Sequence, residues 1–220
     1  PQYITTTTTN TGSDTQDSKW DQWGREYYDV TADQVSTRLQ LACAVEGTLL
    51  DGIIGTTNKP DFYGPFWIGA TSAVAIFTGA TIARSLHLGT IHADYPAILS
   101  SLLTIYGYVV GEGVGVWATC RYAFGVTGEE VSPGLLVTLV GYSLAWLPAA
   151  ALLASVPWWL VQTAALGCCG VLSCLFIYRN VMHILSRQPG MRDEQRSVLV
   201  AVWMICHASL FVLIRLRYYH

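Results

Sequence analysis

From Val131 to Tyr178 the sequence runs forty-eight residues without a charged side chain. As one helix that stretch would be about 70 Å long at 1.5 Å per residue. A bilayer's hydrocarbon core of ~30 Å needs roughly half of it. The excess implies two spans folded back as a hairpin, and Ser155-Val156-Pro157-Trp158-Trp159 supplies the turn. Proline breaks a helix, and tryptophan suits a membrane interface. Three more apolar runs follow the same logic. Gly64 to Ala83 is twenty residues without a charge, closed by Arg84. Tyr95 to Cys120 is interrupted only by Glu112 and closed by Arg121, and Ser197 to Ile214 lies between Arg196 and Arg215. The expectation is an all-α polytopic membrane protein with five transmembrane helices, over about 64–84, 97–120, 132–154, 158–180 and 196–215.

Composition agrees and removes other classes. Only 12% of the 220 residues are charged, where a soluble domain usually has about a quarter. The net charge of −3 offers no basic face for nucleic acid. Cys168, Cys169, Cys174 and Cys206 lie inside apolar stretches, which predicts reduced, buried thiols rather than a disulfide framework. They have neither the paired spacing nor the nearby histidines of a zinc site. No HExxH, GxSxG or Walker sequence occurs, so no enzyme activity, metal or cofactor is expected. The first sixty residues hold no apolar run long enough for a signal-peptide core.

Those sixty residues form a polar arm. Residues 1–19 are low in complexity and predicted disordered. Trp20, Trp23, Tyr27 and Tyr28 then stand among acids, as anchors for a partner or the headgroup layer, or as packing for the protein's own spans. Thr31 and Gln34 have the spacing of a capping box. After them Val35, Leu39, Ala42, Cys43 and Leu49 recur near a 3.6-residue interval, predicting a short amphipathic helix over 31–46 that lies on the membrane or the spans. Asp51 to Pro60 reads as a linker. With the arm cytosolic, that side holds Lys19, Arg25, Arg38, Lys59, Arg121, Arg179, Arg187, Arg192 and Arg196, against Arg84, Arg215 and Arg217 opposite. The bias predicts a cytosolic N-terminus and a lumenal C-terminus.

The segment Asp61-Phe62-Tyr63-Gly64-Pro65-Phe66-Trp67-Ile68, at the mouth of the first span, resembles the signature of the Yip family. These are Ypt/Rab-interacting, five-span membrane proteins of the Golgi and early secretory pathway. Further segments are similar in the same order. They are Tyr27-Tyr28-Asp29-Val30-Thr31 with Val35 and Arg38-Leu39, then Tyr106-Gly107-Tyr108. Gly141-Tyr142-Ser143-Leu144 with Pro148 and Val156-Pro157 comes next, and Arg179-Asn180 last. The resemblance runs from about residue 27 to 217; Glu112 lies outside the pattern, and the arm is short. It implies a non-enzymatic adaptor in vesicle-mediated transport that binds prenylated Rab GTPases and sister Yip-family proteins. It also implies that Tyr27, Tyr28, Asp61, Tyr63, Gly64 and Pro65 carry partner binding. Asp61 and Tyr63 are expected at the cytosolic interface, hydrated, with Gly64 and Pro65 starting the helix; a plain span-entry cap is the competing reading.

Inside the membrane, Gly107, Gly111 and Gly115 share a face in small-xxx-small frames, predicting close packing of a neighbouring helix, within the bundle before between proteins. Gly141 and Tyr142 are placed with them as packing residues. An intramembrane carboxylate such as Glu112 marks a proton, ion or helix-contact site. Its nearness to Arg121 alternatively places it at the cytosolic edge, hydrated or paired. His207 is expected as a hydrogen-bonded core residue. Together Glu112 and His207 define the rival function, a small channel or transporter, although no inverted repeat is visible between the halves.

Overall fold

In the computed structural model, residues 30–44, 60–90, 95–126, 131–186 and 191–219 are described, with Gly24, Tyr28, Leu49 and Ala93 as single positions. The expectations for residues 1–19, Trp20, Trp23, Tyr27, the linker before Pro60, and Arg187 fall outside them. Helix α1 spans Ala32–Cys43. Five apolar helical spans follow: α2 (Tyr63–Leu88), α3 (Tyr95–Ala118) extended by a π turn (Thr119–Ala123), α4 (Pro133–Ser143) continued by α5 (Leu147–Leu153), α6 (Trp159–Ser186) and α7 (Asp193–Tyr218). Among the described residues there is no strand. All five are long and apolar enough to cross a bilayer.

The helices stop where backbone chemistry stops them, not where a charge ends an apolar run. Thus α2 continues through Arg84 to Leu88, where Gly89 adopts φ 69°, a left-handed conformation that glycine enters without penalty. At the start of α7, Arg192 is extended and donates its N–H to Gln195 Oε1 at 3.0 Å. Asp193 and Glu194 then occupy a first turn that favours negative charge.

The third span is central and is broken. Pro148 has no N–H for the Leu144 carbonyl, so the chain tightens: Leu147 N–H bonds back to Leu144 O at 2.9 Å, and Ala145 N–H to Tyr142 O at 3.1 Å. This span packs against α2, α3 and α6, while α2 also touches α1 and α7. The core is therefore built around α2 and α4–α5, with Ile76, Leu136, Leu139 and Leu147 fully buried.

Helix α1 has its predicted cap. Gln34 N–H donates to Thr31 Oγ1 at 3.3 Å, and Thr31 N–H to Gln34 Oε1 at 3.1 Å. Its orientation differs from the apolar pattern: Arg38 and Ala42 face inward, and Leu39 is exposed. The helix lies on α4 and α2, and the cause of its rotation is an ion pair.

Candidate functional site

The mouth of the bundle is organised by one buried carboxylate. Asp61 is 0% exposed, and Arg38 from α1 forms an ion pair with its Oδ2. Oδ1 accepts the Gly64 N–H at 2.9 Å, one of the first-turn donors that a helix leaves unpaired. The Tyr142 hydroxyl reaches Oδ2 at 3.3 Å, and the Thr138 hydroxyl donates to the Asp61 carbonyl at 2.7 Å. A Cβ at Gly64 would stand 2.1 Å from Tyr142 Oη, and one at Gly141 only 2.4 Å from Pro65 Cβ. Pro65 fits in the first turn of α2 because the N–H it lacks has no helical acceptor there. Arm, first span and third span are thereby joined at a single point.

Beside this point an apolar cleft of about 410 Å³ opens between arm and spans, lined in part by Tyr28, Phe62, Phe66, Tyr106, Val110 and Val137. The Tyr28 and Phe62 rings meet edge to face at 6.4 Å. Tyr106 donates its hydroxyl to the Phe66 carbonyl at 2.7 Å, which pins that wall.

A second polar group crosses the middle of the bundle. The break at Pro148 leaves the Ser143 carbonyl without its helical donor, and the Ser173 hydroxyl supplies one at 2.5 Å. His207 Nε2 lies 2.6 Å from Ser173 Oγ. Since the one Ser173 proton goes to Ser143, Nε2 is the donor in that bond. His207 Nδ1 faces Glu112 Oε2 at 3.1 Å and also the Tyr108 hydroxyl. One proton between Nδ1 and Oε2 leaves the pair neutral whichever atom holds it, which suits the bilayer interior. At the far end, Tyr219 donates its hydroxyl to Ala151 O at 2.8 Å, and burial pushes its phenol up, so it remains the donor. Tyr218 Oη lies 2.9 Å from Ser100 Oγ.

Two curated proteins are similar to this chain in sequence. Protein YIP5 of Schizosaccharomyces pombe is 31% identical over 148 residues, 60% of this chain and 56% of that protein. The YIPF1 homolog of Dictyostelium discoideum is 23% identical over 169 residues, 74% of this chain and 46% of its own length. These similarities support membership of the Yip family. It spans about half the length of these curated relatives. No protein-family model matches it, and no solved structure does.

Against this Yip-family background the expected site residues divide. Tyr28 and Tyr63 are exposed, at 44% and 43%. Asp61, Gly64 and Pro65 are interior, so a hydrated Asp61 at the interface is corrected: Arg38, Gly64 and Tyr142 occupy its oxygens. Tyr27 lies outside the described residues. Gly141 and Tyr142 sit at the crossing of α4 and α2.

The internal packing expected of Gly107, Gly111 and Gly115 is also corrected. A Cβ at any of them meets nothing within 4 Å, whereas Gly113, one register away, would place one 2.8 Å from the Val137 backbone. Glu112 is not at a hydrated edge; its side chain is 5% exposed and paired with His207. The reading missed Arg38, Thr138 and Ser173. Arg38 did leave a signal, since it stands four residues before Ala42 and so shares the face of the amphipathic helix that Ala42 buries. Ser173 left none, because its role exists only through the distant break at Pro148.

Proposed function

We propose that this protein is a non-enzymatic adaptor of vesicle-mediated transport in the Golgi or early secretory pathway. Its arm faces the cytosol, where it engages prenylated Rab-type GTPases and sister Yip-family proteins. The observation that carries the reading is the apolar cleft at the bundle mouth, with Tyr28, Phe62 and Phe66 on its walls. Such a cleft offers an isoprenoid chain a place out of water, while exposed Tyr28 and Tyr63 offer aromatic contacts to a protein surface.

A pull-down with matched prenylated and unprenylated Rab-type GTPases tests the proposal. The prenylated form should bind, the bare form should bind at least tenfold less, and Phe66→Asp should weaken the first selectively. Equal capture of both forms, or prenylated capture unchanged by Phe66→Asp, counts against it. The buried Glu112–His207 pair supports one alternative, a small channel or transporter. Loss of ion flux in liposomes on Glu112→Gln would favour that reading.

A further inference from the structure

Between α3 and α7 lies a second cleft of about 510 Å³. Gly107, Gly111 and Gly115 open one wall, and Val202, Cys206 and Ser209 line the other. Two more lining residues, Glu112 and Trp203, each carry a buried polar atom without a hydrogen-bond partner: Glu112 Oε1 and Trp203 Nε1. The Glu112 side chain is 5% exposed and Trp203 3%. One site thus presents an unpaired acceptor, an unpaired donor and a glycine face that the chain's own helices do not cover. Unpaired polar atoms are costly in hydrocarbon, and each asks for a partner.

We propose that this cleft docks a transmembrane helix of another membrane protein, which presents a hydroxyl or carboxamide side chain to Glu112 and Trp203. These side chains both donate and accept, and they hydrogen-bond across helices in membranes. The cleft runs from Gly107 to Thr119 on α3, about 18 Å at 1.5 Å per residue, a length of more than three helical turns. Its open glycines let a neighbouring backbone come close. Depth argues against a lipid headgroup as the polar partner. Glu112 lies eight residues inside the run that ends at Cys120, and Trp203 six residues inside the run that begins at Ser197, about 12 Å and 9 Å at the same rise, whereas headgroup polar atoms lie at the interface. A second copy fits poorly, because two concave clefts face to face keep their recessed polar atoms apart. The inference rests on the partner-protein half of the adaptor reading and gives it a surface; it is independent of GTPase binding.

The test is site-specific photo-crosslinking of the full chain in its native membranes. A benzoylphenylalanine at Val202 reports on the cleft, and one at Leu103, exposed on α3 and outside the lining, serves as control. The Val202 probe should give a discrete adduct, identified by mass spectrometry as a different membrane protein. Gly111→Leu should reduce it at least tenfold while the detergent-extracted chain elutes unchanged and melts no lower, since a Cβ there meets nothing within 4 Å. Trp203→Phe, which keeps the ring and loses the N–H, should reduce it several-fold. Adducts to lipid alone or to a second copy would overturn the proposal, as would insensitivity to Gly111→Leu. Prenylated-GTPase capture, measured on the same Gly111→Leu protein, should be unchanged. In the chain that keeps Gly111, absence of capture beside a protein adduct defeats the GTPase reading alone, and absence of a protein adduct beside capture defeats this one alone.

Discussion

Arg38 and Asp61 place two opposite charges where neither meets water. The value of such a pair lies less in its own attraction than in what a single deletion leaves behind. Arg38→Ala or Asp61→Ala would leave the other buried charge without its ion-pair partner, at about 3–5 kcal/mol in either case. Tyr63→Ala, at an exposed position, should stay within about 0.5 kcal/mol. Thermal unfolding in detergent should therefore separate the two variants clearly from the third; equal melting of all three would mean that the pair holds nothing. Glycines divide as sharply. Gly64→Ala forces a methyl into the Tyr142 hydroxyl and should cost about 1–3 kcal/mol. Gly111→Ala meets nothing and should stabilise the helix by about 0.5–1 kcal/mol. The same denaturation curves check both signs.

At the scale of elements, a broken span and a docked arm each depend on one distant side chain. Ser173→Ala would leave the Ser143 carbonyl and the His207 donor both unpaired, at about 1–3 kcal/mol for each buried group. Ser186, whose exposed hydroxyl bonds within its own helix, should tolerate alanine. A melting difference between the two alanine variants measures how far Ser173 supports the break at Pro148. For the arm, Cys43 is a reporter, because partial burial pushes its thiol above the ordinary range. Fewer thiolates at a given pH mean slower alkylation, with a rate that keeps rising past pH 9. The sign for docking follows: the undocked arm loses this proton first, so docking weakens as pH climbs through the ordinary thiol value. Asp61→Asn should loosen α1 and speed Cys43 alkylation at pH 8. These elements also show what was legible beforehand. The five spans were readable because apolar length alone specifies them, and the Thr31–Gln34 cap because it is local. The rotation of α1 was not, since its amphipathic pattern favoured Leu39 while the decisive partner of Arg38 lies twenty-three positions away. The glycine frame of α3 could be read as packing, but not which side would find a neighbour.

For the molecule as a whole, an odd number of crossings forces the two ends to opposite sides of the bilayer. On the proposed topology, the excess of lysine and arginine puts the arm in the cytosol. Trypsin added to sealed microsomes tests both steps at once. It should cut after Lys19 and Arg25 in the polar stretch, while a tag following His220 stays protected until detergent opens the vesicles. Arg38 is chemically a trypsin site too, but its guanidinium is buried against Asp61 and its backbone lies in a capped helix. Cleavage there must wait for α1 to leave the bundle. Asp61→Asn should therefore add a cut after Arg38 without exposing the C-terminal tag, separating release of the arm from loss of the membrane fold. Protection of the arm together with exposure of the tag would reverse the orientation and keep the five spans. Simultaneous exposure of both ends in intact vesicles would mean an even number of crossings and would overturn the five-span topology.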